Sequence, residues 1–271
     1  MLERSDIMYI YDGSFEGLLC CVFESYEKKE LPIDIQAENA MQMTLYTIKN
    51  IDSNSTKANR VRIGIMKKAR KDFYDFIEMA FYTCHPHKER LILDFIRLGM
   101  QHGKDALSML THDTVSDLQK AVTALTRESH QFKGFVRFSI YNQVMLSIIE
   151  PKNFVLPLLA PHFCDRYQNE TFIIYDKTHG DALLYKPREL IITQVNDFEL
   201  PETDEQENQY RSLWKLFYDT IAIDERSNDK CRMSHMQKRY WKHLTEMNDR
   251  PTKPLTIQDK QLILASIMLI M

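Results

Sequence analysis

The sequence predicts an α+β fold with a helical N-terminal half, a central antiparallel sheet and C-terminal helices packed on it. Three observations carry this. Apolar residues between positions 72 and 125 recur at steps of three and four, the period of helices that bury one face. The period then changes: GFVRFSI, QVMLSIIE, TFIIYD and ELIIT are short runs rich in Phe, Val, Ile and Tyr, separated by YN, a proline-containing stretch and DKTHGD. Finally, 271 residues with 44% apolar content are enough to fill a core.

Taken in order, IMYIY at 7 to 11 reads as a strand, Gly13 as a turn and Ser14 as the N-cap of a helix burying Leu18, Leu19, Val22, Phe23 and Tyr26. Asp12 and Glu16 are read as a cap and a helix-dipole partner, not as a catalytic pair. IDI and LYTI are short extended pieces. A helix from 72 to 84 presents Phe73, Phe76, Ile77, Ala80, Phe81 and Cys84 on one side, and a second runs from 88 to 100. A third carries Leu107, Leu110, Leu118, Ala121, Val122 and Leu125, with an interruption near His112. Within PKNFVLPLLAPHFCDRY a helical end places His162, Phe163 and Arg166 on neighbouring turns. The acidic stretch at 197 to 207 reads as a solvated linker or helix entry, and the helix after it, at 206 to 220, is expected to bury Leu213, Trp214, Leu216 and Phe217. The organisation expected is one α+β domain over 1–247, with a further division into a mainly helical 1–128 and a sheet-plus-helix 129–247. A tail at 248–271 has no assigned role, although its apolar end, ILASIMLIM, reads as a helix or strand packing on the body.

The formal charge is −3, so any polyanion site must gather its charge locally. Two stretches do so. Residues 57 to 71 hold Lys57, Arg60, Arg62, Lys67, Lys68, Arg70 and Lys71 without an acid. KCRMSHMQKRYWKH at 230 to 243 holds five Lys or Arg, two His and Trp241, again without an acid. On a continuous helix Arg232, His235, Arg239 and Lys242 form a cationic stripe, the pattern of a phosphate track in which each neutralised phosphate releases a counterion. Tyr240 and Trp241 then offer faces for an unpaired base. The alternative is that both aromatics pack inward while the charges face water or pair with the acidic stretch at 197 to 207. The nucleic-acid-binding candidates are Lys67, Lys68, Arg70, Lys71, Arg137, Arg166, Arg232, Arg239, Tyr240 and Lys242.

For catalysis the candidates are His130, taken with Arg137, and His162, taken with Arg166: an imidazole as general acid or base beside a guanidinium that grips a phosphate oxygen. No phosphate loop, G-x-S-x-G elbow or kinase motif is present, and seven glycines leave little material for tight phosphate cradles, which argues against an independent NTP-dependent enzyme. Cys231, His235 and His243, or Cys84, His85 and His87, are residue types zinc accepts, but neither set has a paired metal-binding spacing, so no metal and no cofactor is expected. Five cysteines without a disulfide framework, no signal-peptide pattern at the first residues and no run of roughly 20 apolar residues point to the cytoplasm and away from a membrane.

HQFKGFVRF, VLPLLAPHFCDRY and FYDTIAIDERSNDKCRMSHMQKRYWKHLTEM together resemble a bacterial family of probable DNA metabolism proteins, over about residues 8 to 247. The matching positions are His130, Phe135, Arg137 and Phe138, then His162, Phe163 and Arg166, then Asn228, Arg239, Tyr240 and Trp241. Gln237 stands where the family has proline. Members of that family are encoded beside a radical SAM protein of DNA modification or repair, and a related domain is fused to uracil-DNA-glycosylase-like proteins. The resemblance implies a DNA-binding accessory protein in DNA repair or modification, partnered by a radical SAM protein. Two alternatives stay open: an enzyme acting on damaged bases or phosphodiesters through His130 or His162, and a protein-interaction module docking an acidic partner.

Overall fold

The computed structural model describes residues 3–4, 6–40, 45–195, 205–222 and 228–247. The chain divides into two compact units, residues 1–127 with 152–154, and residues 128–151 with 155–271. The terminal ILASIMLIM, the rest of the tail and positions 197 to 204 of the acidic stretch lie outside the described residues.

The first unit is built on β2 (Ile7–Tyr11), an apolar run buried along four of its five residues. It is the middle strand of a parallel sheet, between β4 (Asp34–Ala37) and β5 (Thr47–Asn50). A short parallel pair, β1 (Glu3–Arg4) with β3 (Glu30–Leu31), lies in the same unit. The crossover from β2 is α1 (Phe15–Lys28): Gly13 turns the chain at φ 81°, and the Ser14 side chain accepts from the Gly17 N–H at 2.9 Å. Leu18, Leu19 and Val22 are buried as the pattern predicts, whereas Tyr26 is exposed. IDI and LYTI therefore become the two outer strands of a parallel sheet. Strands covered by helices carry weak alternation, which is why the pattern alone did not join them.

The basic block at 57 to 71 forms α2 (Ser55–Ala69) and the start of α3 (Lys71–Phe81), turning Ala58, Ile65 and Ala69 inward. α4 (Lys88–His102) packs on α3 through a Phe73–Phe95 ring stack at 4.4 Å. Gly99 is required by that packing, since a Cβ there would lie 2.2 Å from the Phe73 ring. A 3-10 helix, Gly103–Ser108, ends before α5 (Asp113–Phe135), so the expected break near His112 is a true junction.

The second unit holds a five-stranded sheet in the order β10-β9-β8-β7-β6, with β6 (Ser139–Tyr141), β7 (Val144–Ile149), β8 (Phe172–Asp176), β9 (Asp181–Lys186) and β10 (Glu189–Gln194). The α+β class is as predicted, but the sheet is mixed rather than wholly antiparallel: β7 and β8 run parallel. The intervening α6 (Leu156–Arg166) makes this possible, because a parallel pair needs a crossover and a hairpin cannot supply one. Phe138, Phe163, Phe172 and Tyr185 form a ring cluster over the sheet. β9, the run DALLYK, has no β-branched residue to mark it as a strand, and is fixed by pairing on both sides.

After the sheet come α7 (Glu205–Ile221), α8 (Asp229–His235) and a 3-10 helix, Lys238–His243. Two expectations are corrected here. The stripe from Arg232 to Lys242 is not one helix, because the chain leaves helical geometry at Met236 and Gln237 and restarts as a tighter turn. The apolar face of α7 is not buried either: Trp214 and Phe217 remain 41% and 39% exposed, and Glu207 is the helix's buried residue. No helix among the described residues is long and apolar enough to cross a membrane.

Candidate nucleic-acid interface

The site begins with the way α7 meets the sheet. Glu207 accepts from the Ile140 N–H at 3.1 Å and from Arg211 Nε at 2.8 Å, and Arg211 Nη2 donates to Ser139 Oγ at 2.6 Å. Burial opposes ionisation of Glu207, but these donors outweigh it and hold its carboxyl below the usual range. A polar clamp of this kind fixes α7 against β6 without consuming its apolar face.

A second clamp lies beside it. Arg137, on the link between α5 and β6, reaches Glu246 through Nη2 to Oε1 at 2.7 Å and Nε to Oε2 at 3.3 Å, while Nη1 donates to the Gly134 carbonyl at 2.8 Å. Trp214 Nε1 donates to the same Glu246 at 3.0 Å, and the Arg137 guanidinium lies 5.9 Å from the Trp214 ring centre. Glu246 is buried, and its hydrogen bonds from Arg137 and Trp214 overcome the burial cost to depress its pKa.

These clamps bound two cavities. The first, of about 480 Å³, is a cationic recess whose floor is Ser139, Tyr141, Leu146 and Ser147 of β6 and β7 and whose walls carry Arg137, Arg211, Lys215, Lys242 and His243. The second, of about 840 Å³, is an open groove lined by Phe138, Tyr167, Tyr210, Leu213, Trp214 and Phe217, with Arg166 at its side. Arg137, Arg211 and Thr245 line both, so recess and groove adjoin, the recess on the Ser139 and Tyr141 face of β6 and the groove on the Phe138 and Ile140 face. Both sizes fall in the range of about 300–1,000 Å³ typical of ligand sites.

Of the ten residues expected at a nucleic-acid surface, Arg137, Arg166 and Lys242 lie on these cavities. Lys242 pairs with Glu150, whose carboxyl it holds below the usual range, and His243 lies 3.1 Å from the same carboxylate. Burial lowers the His243 pKa despite that carboxylate. Arg232 is on α8, paired with Asp229 at 2.6 Å and stacked on half-buried Trp241. Two residues are corrected. Tyr240 is a core residue, 3% exposed, packed on Phe132 and Phe135 with its hydroxyl donating to Gln131 at 2.8 Å. Its ring has no free face for a base. Arg239 turns inward as well: it stacks on Tyr240, contacts that hydroxyl and places Nη1 2.8 Å from buried Glu128, a charge contact whose angle is not that of an aligned hydrogen bond. Lys67, Lys68, Arg70 and Lys71 are exposed in the first unit, with Lys71 paired to Asp75.

Of the proposed acid–base pairs, His162 and Arg166 sit one turn apart on α6, where the Arg166 charge acts on the imidazole. His130 is exposed, and Arg137 is committed to Glu246. His162 is half-buried with Nε2 lacking a partner, and burial, followed by the charges of Lys133 and Arg166, lowers its pKa. Among the described residues no three His, Cys, Asp or Glu side chains gather as a metal site. Residues not singled out from the sequence supply much of the site: Arg211, Lys215 and Trp214. Their signal was present, since Arg211 and Lys215 are one helical turn apart and share the side of α7 that Trp214 and Tyr210 flank, but Trp214 read as core.

Fold and site define an α+β protein whose second unit carries a cationic recess and an adjoining aromatic groove. A family model described as a domain of unknown function, DUF4130, matches residues 86–246, and the chain belongs to that family. No curated protein matches the chain. Among solved structures it is similar to a pGpG-specific phosphodiesterase, PggH, of Vibrio cholerae, at 10% identity and a TM-score of 0.35, over 68% of this chain and 81% of that one.

Proposed function

We propose that the second unit binds single-stranded nucleic acid, phosphate in the recess and unpaired bases in the groove, and that the protein serves as a cytoplasmic accessory in DNA repair or modification beside a radical SAM partner. One observation supports the binding reading: a cavity walled by four Lys or Arg adjoins, across Arg137, Arg211 and Thr245, a groove presenting exposed aromatic faces. Cations that track a backbone beside rings that stack bases are the two components of sequence-tolerant strand binding. Duplex fits the groove poorly, because its bases are already stacked on one another. The repair context and the partner rest on the resemblance of the motif-bearing stretches alone.

The test is a titration against single-stranded and duplex DNA at two salt concentrations, repeated with Arg211→Gln and Trp214→Ala. Single strands are expected to bind more tightly and to lose affinity with salt, and both variants are expected to weaken them. Equal, salt-insensitive binding of all forms, or none, sinks the reading.

A further inference from the structure

Going beyond strand binding, we propose that the apolar groove along α7 is the docking site of this chain's own C-terminal tail, with residues 261–271 laid upon it. The face is the first reason. Tyr210, Trp214, Phe217 and Ile221 recur along α7 at steps of four, three and four, and all of them are exposed. Ile140 of β6, which lines the same groove, is exposed as well. A helical stripe of this kind ordinarily packs against another element, and one left open on a folded unit marks an interaction surface.

The root of the tail is the second. The chain leaves the described residues on the groove wall: Thr245 lines the groove, Glu246 accepts from the Trp214 indole N–H at 3.0 Å, and the Met247 N–H turns back to the Leu244 carbonyl at 3.0 Å. Residues 248–260 supply a largely polar spacer with Pro251 and Pro254, after which QLILASIMLIM at 261–271 carries no charge and has Gln261 and Ser266 as its only polar side chains. A spacer of that length reaches at most about 45 Å, ample for a return to the wall it starts from. Wound as a helix, residues 261–271 would be about 16 Å long, the length of the α7 stripe from Tyr210 to Ile221. Tethering selects this occupant over a second copy or a free partner, because a segment on a short linker is present at an effective concentration on the order of millimolar. On the strand-binding reading, tail and strand then compete for one groove.

The experiment places a photo-reactive residue, benzoylphenylalanine, at Met268 of the full chain, irradiates it at low protein concentration and maps the bonds formed. Links within one chain to residues 210–221, Phe138 or Ile140 are expected, and Ile263→Asp with Ile267→Asp in the same chain is expected to abolish them. No link, links to another face, links between two chains that grow with concentration, or links that survive both Asp substitutions overturn the inference. Strand titration is a separate readout. An occupant present about nine-tenths of the time lowers apparent affinity about tenfold, so the double Asp variant, without the photo-reactive residue, should bind single strands about tenfold more tightly than the parent chain. If the links form as expected and strand affinity does not rise, the tail docks in the groove and the strand does not use it, so the strand-binding reading fails while this inference stands.

Discussion

Arg137 and Trp214 are joined through one buried carboxylate: Glu246 takes the Arg137 guanidinium at 2.7 Å and the Trp214 indole N–H at 3.0 Å, so one of the two cations shared by both cavities and an aromatic wall of the groove are positioned together. Glu246→Gln keeps the size and one acceptor but removes the charge. Breaking a buried pair costs about 3–5 kcal/mol. Arg137 keeps 28% of its side-chain surface in water, which argues for a smaller loss, about 2 kcal/mol. Urea unfolding measures this, and strand affinity should fall in parallel as the groove wall loosens.

Tyr240→Phe and Arg239→Ala separate fold from surface in KCRMSHMQKRYWKH. Because the Tyr240 ring is interior and its hydroxyl donates to Gln131, the phenylalanine variant should lose about 1 kcal/mol of stability. Arg239→Ala removes an ion pair from the buried Glu128 carboxylate and should cost more, about 2 kcal/mol. Neither side chain lines the recess or the groove, so strand affinity of the folded variants should be unchanged. A tenfold affinity loss without a drop in melting temperature would instead place Arg239 on a ligand.

The exposed cations of α2 and α3 give a prediction confined to the first unit. Replacing Lys67, Lys68 and Lys71 by Gln should leave the fold within about 0.5 kcal/mol. If they contact phosphate, affinity for single strands should fall and its dependence on salt should flatten. Unchanged affinity with an unchanged salt slope would take them off the nucleic-acid surface.

The order of these elements explains what was legible in the sequence. Helices at period 3.6 and strands such as IMYIY and TFIIYD announce themselves, because one buried face fixes each pattern. The parallel pairing of β7 with β8, the pairing of IDI and LYTI around β2, and the strand DALLYK depend on partners distant in the chain. The site is a harder case. Its cations come from the α5–β6 link, α7 and the 3-10 helix, so Arg137, Arg211, Lys215 and Lys242 share no local motif. Density of charge pointed instead to Arg239, which one buried acid, Glu128, draws inward.

Stability should fall in two steps as pH drops. His243 has a folded pKa below its unfolded value, with Glu150, Lys242 and Lys177 as the charged groups facing it and burial as the leading cause. The fold thus favours neutral imidazole: this contribution is complete above the unfolded value of about 6.5 and is lost as pH falls through the folded value. Glu150, Glu207 and Glu246 are likewise depressed, so their contribution is present above about 4.3 and is lost at lower pH. Urea midpoints from pH 8 to 3 should show both declines, and His243→Gln should shrink the upper one, leaving the part owed to His162, whose pKa burial also lowers.

Trp214 gives the sharpest separation of binding from folding. It is one of two tryptophans, 41% exposed, with its ring on the groove and its N–H on Glu246. A residue so exposed makes a modest contribution to the core, so Trp214→Ala should cost about 1–2 kcal/mol, below the 3–5 of a buried aromatic. Stacking on a base is worth about 1–3 kcal/mol, a loss of roughly 5- to 150-fold in affinity. Trp214→Phe keeps a stacking face and gives up the hydrogen bond to Glu246, so it should restore most of the affinity while retaining part of the stability loss. Fluorescence reads the same contact directly: with Trp241 replaced by Phe, Trp214 is the sole tryptophan, and a stacked base should quench it on titration with a single strand. Unchanged emission at saturation, with affinity intact in Trp214→Ala, would mean that the open face of α7 serves something other than a nucleobase.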